Sequence, residues 1–169
     1  MTEKPIKLPF PDNLHLQGAV GWLELGNYRE ANEDLKKITP SNRTHPLVHC
    51  LRCKIYAAAG RWEMARIVAR GLSISMPDDL FGWLNWAYAL HKLKRTKEAY
   101  DVAVSVVTKF AEEATLLYNL ACYACQLGNL PEAMKWLKKA MDLDSKKEIK
   151  LMALEDPDLE PLWFEISDL

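Results

Sequence analysis

A chain of 169 residues with 22 basic and 23 acidic residues carries a net charge of −1, so no global field favours nucleic acid or an acidic membrane surface. The length suits one domain with its own apolar core, and with only seven glycines among abundant Ala, Leu, Lys and Glu the composition is that of a helix former. No run is long enough to span a membrane, the opening MTEKPIKLPFP lacks the apolar stretch of a secretory signal, and four cysteines do not make a disulfide scaffold; a cytoplasmic protein is expected.

In chain order, residues 1–11 form a proline-rich arm in which Pro5, Pro9 and Pro11 oppose helix and favour an extended course. Leu8 and Phe10 are expected to pack over the start of the first helix. Apolar residues then recur three and four apart, and the pattern predicts helices over about 13–25, 27–38, 45–59, 61–75, 79–93, 95–110, 113–127 and 129–142. Asn27 with Glu30, Asn129 with Glu132 and Ser145 with Glu148 have the spacing of capping boxes, and Pro131 sits in a first turn where its missing N–H costs nothing. Two closing helices are expected at about 146–154 and 157–166. Within them Ile149, Leu151, Met152, Leu154, Leu159, Leu162, Trp163 and Phe164 should bury apolar surface, while Glu155, Asp156, Asp158, Glu160, Glu165 and Asp168 complement the lysines between Lys135 and Lys150.

The helices repeat. LGNYREANEDLKKI, AGRWEMARIVARGL, LKRTKEAYDVAVSV and LGNLPEAMKWLKKA each begin 34 residues after the one before. In that register Ala31, Ala65, Ala99 and Ala133 coincide, as do Ala19, Cys53, Ala87 and Ala121, marking points where helix backbones approach too closely for a larger side chain. Gly26, Gly60, Lys94 and Gly128 also coincide between the two helices of each unit, and glycine there supplies a left-handed cap to the first helix.

These phased residues resemble the tetratricopeptide repeat (TPR). Repeat two contributes Cys53, Tyr56, Ala65, Ala69, Leu72 and Pro77, and repeat three Trp83, Trp86, Ala87, Leu90, Ala99 and Ala103. Repeat one departs most, with His15 and Gly18 where large apolar residues are usual and Arg43 in place of the closing proline. The resemblance implies an all-α, right-handed superhelix of four repeats, 12–45, 46–79, 80–113 and 114–145, closed by a C-terminal cap at 146–169. It further implies a concave groove lined by the first helix of each repeat, in which Lys54, Phe81, Asn85, Tyr88, His91, Tyr118, Asn119 and Gln126 are the candidate contacts for a peptide segment of a partner. Asn85 and Asn119 hold equivalent positions 34 residues apart, and an amide offers both donor and acceptor to an extended backbone. A Lys/Asn/Arg carboxylate clamp, known in some members, is matched in neither window of three repeats.

All four cysteines lie in two C-x-x-C pairs, Cys50/Cys53 and Cys122/Cys125. Placed on the first helices of repeats two and four they are on the order of 20 Å apart, too far for one zinc ion at about 2.3 Å from each sulfur. Cys53 reads as core, whereas Cys122 and Cys125 face the groove, where a partner, a second chain or His91 would have to complete a site. No Gly-rich phosphate loop, H-E-x-x-H or G-x-S-x-G is present, and Arg61, Arg66 and Arg70 read as a solvated outer face. The expectation is a scaffold or protein-binding module without catalysis, metal or cofactor. Two alternatives remain: a small chaperone like the TPR chaperones of type III secretion, and a thiol or metal protein built on the cysteine pairs.

Overall fold

The computed structural model describes residues 7–169, and among these residues every regular element is helical. The chain divides into two compact units, Met1–Asn85 and Trp86–Leu169, with the division inside a helix rather than at an expected repeat boundary. Each unit is built from helix pairs, and Pro5 of the arm lies outside the described residues.

The first unit holds α1 (Asp12–Glu24), α2 (Tyr28–Lys37), α3 (Pro46–Ala58), α4 (Trp62–Ser75) and the opening of α5 (Leu80–Lys92). Asn27 caps α2 by accepting the Glu30 N–H at 3.2 Å, so the sequence spacing is realised as a hydrogen bond. Ala19, Ala31, Leu35, Ile38, Val48, Leu51 and Ile55 form one buried cluster, and Leu8 of the arm joins it. Burying a Leu or Ile side chain stabilises by about 1.5–3 kcal/mol, so this cluster ties α1, α2 and α3 together and anchors the arm. Phe10, expected to pack beside Leu8, is instead 78% exposed: Leu8 already fills the site at the cluster's edge.

Two polar contacts explain why repeat one tolerates its departures. Asp12 is buried at the start of α1, and its carboxylate accepts the Thr39 N–H at 2.9 Å, the Thr39 hydroxyl at 3.1 Å and the Asn42 amide at 2.7 Å. These bonds clamp α1 to a short 3-10 turn, Pro40–Asn42, that follows α2. Arg43, where a proline closes the usual repeat, donates to the carbonyls of Ile38 at 2.8 Å and Lys36 at 2.7 Å, satisfying acceptors left open at the end of α2. A guanidinium fork does by hydrogen bonding what a proline does by restricting the backbone.

The second unit holds the rest of α5, α6 (Thr96–Val106), α7 (Ala114–Gln126), α8 (Leu130–Leu143), α9 (Lys146–Glu155), a 3-10 segment (Pro157–Leu162) and α10 (Trp163–Ser167). Asn129 and Ser145 cap α8 and α9 by accepting the N–H of Glu132 and Glu148, both at 3.4 Å. α6 ends four residues before the sequence pattern suggests, where Val106, Val107 and Thr108 bring consecutive β-branched side chains that crowd the preceding turn. The helix expected at 157–166 is split, because Pro161 has no N–H to continue the ladder.

The eight small residues singled out by the 34-residue register are all at most 1% exposed. The third register row behaves as one backbone class: Gly26, Gly60 and Gly128 have φ of 73°, 67° and 81°, and Lys94 adopts the same left-handed conformation at 63°. A lysine there bears a steric cost that glycine does not.

Of the closing apolar residues, Ile149, Leu159 and Leu162 are buried as expected, but Leu151, Met152 and Phe164 are 55%, 49% and 79% exposed. Ala153 and Ile166 fill the core in their stead, because α9 turns its Ile149/Ala153 edge inward and α10 is too short to bring Phe164 round to the same side. Trp163 is half-buried and fixes the junction by donating its indole N–H to the Ala153 carbonyl at 3.0 Å.

Candidate functional site

In the first unit, Lys54 is exposed on α3 and its Nζ stands 5.6 Å over the ring of half-buried Phe81, an arrangement that pairs a cation with an apolar face. Asn85, also half-buried, spends one amide hydrogen on the Phe81 carbonyl one turn back at 2.8 Å, which orients the side chain along its own helix. A separate surface hollow of about 410 Å³ lies between α3 and α4, lined by His49, Ile67, Val68, Gly71, Leu72 and Ser75. None of the candidate contact residues lines it.

In the second unit, Tyr88 is exposed, with Lys92 Nζ 5.4 Å over its ring, and Asn119 is half-buried on α7. His91, Tyr118 and Gln126 have a different situation from the one expected. The chain's own residues 156–158 lie against them, with His91 and Tyr118 buried and Gln126 exposed. Tyr118 donates its hydroxyl to Asp156 Oδ2 at 2.9 Å, and the Cys122 thiol donates to the same oxygen at 3.6 Å. His91 Nε2 lies 2.9 Å from Asp158 Oδ2, and since a carboxylate only accepts, Nε2 is the donor. The Gln126 amide donates to the Asp158 backbone carbonyl at 3.0 Å.

The segment is itself preorganised. Asp156 Oδ1 accepts the Asp158 N–H at 2.9 Å, turning the chain so that both carboxylates face α5 and α7. His91, 7% exposed, is held from behind by Thr96 Oγ1 at 3.1 Å from Nδ1 and by the Tyr123 ring, centroid to centroid 5.1 Å. Burial above all, with the nearby Cys122 and Asp156 adding, pushes the Tyr118 phenol well above its ordinary range, and burial with Asp156 and Asp158 does the same to the Cys122 thiol. Both groups therefore keep their protons at neutral pH and remain donors to the carboxylates. The acidic residues thus meet hydrogen-bond donors on α5 and α7, not the lysines of α8 and α9 that the charge pattern suggested. Sequence reasoning missed this pairing, although the Asp-Pro-Asp turn signal was present.

The cysteines fall into two environments. Cys53 sits in the first core with its thiol 3.7 Å from the Ala65 carbonyl, and burial pushes it up to about 12. Cys50 is half-buried on α3. Cys122 and Cys125, expected to face an open groove, are both buried, and residues 156–158 cover Cys122, whose thiol ends on Asp156. Among the described residues no group of three or more His, Cys, Asp or Glu is placed to hold a metal ion.

No family profile matches the sequence, and a search of curated proteins returns no relative. Solved structures do match. TTC0263, a thermophilic TPR protein of Thermus thermophilus, aligns over 92% of this chain and 82% of its own at 19% identity with a TM-score of 0.73. PilF of Pseudomonas aeruginosa aligns over 93% and 69% at 19% identity with a TM-score of 0.74. A double mutant of MamA from RS-1 aligns over 95% and 96% at 19% identity with a TM-score of 0.72. The chain has the all-α fold of tetratricopeptide-repeat proteins.

Proposed function

We propose that this chain is a non-catalytic, cytoplasmic module that holds a short segment of another protein against the first helices of its repeats. Lys54, Phe81 and Asn85 would supply its contacts in the first unit, and Tyr88, His91, Tyr118, Asn119 and Gln126 those in the second. The single observation that carries the reading is residues 156–158 lying on α5 and α7, where a peptide carbonyl takes the Gln126 amide and two carboxylates take side-chain donors. That is peptide recognition performed within one chain, by the face that the TPR resemblance assigns to ligands. Lys54 beside Phe81 offers an equivalent mix of charge and apolar surface in the first unit, suited to a partner segment with an acidic residue next to an apolar one.

The test is affinity capture from native cells with the full chain, compared with the double variant Asn85→Ala plus Asn119→Ala. A stoichiometric partner identified by mass spectrometry, held by the parent and lost by the double variant, is the expected result. Equal capture by both, with unchanged helicity by circular dichroism, rejects these asparagines as the contact.

A further inference from the structure

We propose that the α5/α7 face carrying residues 156–158 is an acidic-peptide site: it accepts an Asp-x-Asp-Leu segment of a partner in trans, and the chain's own segment is the competing occupant. The proposal rests on the protein-binding reading above and gives its ligand a chemistry.

Three features of the second unit support it. The donors converge on carboxylates: Tyr118, Cys122 and His91 all end on carboxylate oxygens at 2.9, 3.6 and 2.9 Å. Tyr118 and Cys122 are buried with the segment in place, and both end on the same Asp156 oxygen. The ligand motif is also self-contained. Asp156 accepts from the Asp158 N–H, Pro157 restricts the turn between them, and Leu159, 0% exposed, follows as the apolar anchor. Nothing in the recognition needs the covalent link to α9. Finally, the Gln126 amide reads a backbone carbonyl, which any segment in this conformation presents.

Tethering gives the resident segment an effective concentration on the order of millimolar, so a free peptide binds the parent chain only weakly. Weakening the tethered copy should unmask the site. The experiment is fluorescence anisotropy of a labelled peptide of sequence LEDPDLEPL, identical to residues 154–162, titrated with full-length protein. The variant Asp156→Ala plus Asp158→Ala should bind it about tenfold or more tighter than the parent, because the competitor is weakened. Adding Tyr118→Phe should weaken that binding by about tenfold or more, the worth of one hydrogen bond to a charged group, and a peptide with both aspartates changed to alanine should not bind.

Equal affinity of parent and variant, or binding indifferent to the peptide's aspartates, overturns the proposal. If the double variant loses its helical signal, the parent protein labelled with nitrogen-15 is titrated with millimolar peptide instead. Saturable shifts of the Gln126 side-chain amide then support the site, and their absence rejects it. Failure here with asparagine-dependent partner capture intact would remove the acidic site while leaving the protein-binding reading standing.

Discussion

Gly82 lies on α5 where that helix meets α4, and a methyl group built there would sit 2.5 Å from the Ser73 nitrogen, 2.9 Å from the Leu72 carbonyl carbon and 3.0 Å from Ser73 Cα. All three are backbone atoms in the last turn of α4, so no rotamer change relieves the overlap and the backbones themselves must separate. Overpacking of this kind costs typically 1–3 kcal/mol, and a contact about an ångström too short against rigid backbone belongs at the upper end. Alanine recovers about 1 kcal/mol of helix propensity, leaving Gly82→Ala destabilised by about 2 kcal/mol. Gly71 is the control: it is interior to α4, a methyl group there meets nothing within 4 Å, and Gly71→Ala should stabilise by about 0.5–1 kcal/mol. Urea unfolding followed by helical circular dichroism measures both, provided the m-values agree with the parent. A Gly82→Ala variant as stable as the parent would refute the close approach of α4 and α5, and with it the physical account of why this position bears no side chain.

Lys94→Gly should raise the melting temperature by relieving the left-handed lysine, a gain of about 1 kcal/mol, while Gly128→Ala at the equivalent turn should cost about 1–2 kcal/mol. The Asn42 amide, followed by the Thr39 N–H and hydroxyl, holds the Asp12 carboxyl below its ordinary value of 3.8. A carboxyl depressed in the folded state contributes stability that is complete above 3.8 and is lost as pH falls through the lower folded value. Acid unfolding of Asp12→Asn should therefore show less stability at neutral pH than the parent and a shallower loss below that value. Thiol labelling of the native protein should modify Cys50 first, with Cys53, Cys122 and Cys125 released only on unfolding; fast native labelling of Cys122 would contradict its burial beneath residues 156–158.

The helices, their Asn and Ser caps and the rows of buried small residues were legible in the sequence because each is a local or strictly periodic property. A capping box spans four residues, and a close helix contact recurring every 34 residues demands a small side chain each time. The same register placed Lys94 in line with three glycines before its backbone was known. What escaped the pattern was set by single, non-repeating contacts. Gly82 has no counterpart in the register, Asp12 matters only because the turn at Thr39 and Asn42 folds back onto it, and Leu151, Met152 and Phe164 looked like core residues until α9 and α10 chose their inward edges.

For the candidate site the division is sharper. The TPR resemblance nominated His91, Tyr118 and Gln126 by carrying its groove positions onto the 34-residue register, since side chains at fixed helical offsets share a face. Their occupant was decided by tertiary structure: His91 and Asp158 are 67 positions apart, and Tyr118 and Asp156 are 38 apart. No local propensity encodes a contact at that distance. It arises because Leu159 and Leu162 bury themselves in the second unit and carry the two preceding carboxylates onto the donors of α5 and α7. Sequence set which donors share that face, and burial of the neighbouring leucines set which segment of the chain meets them.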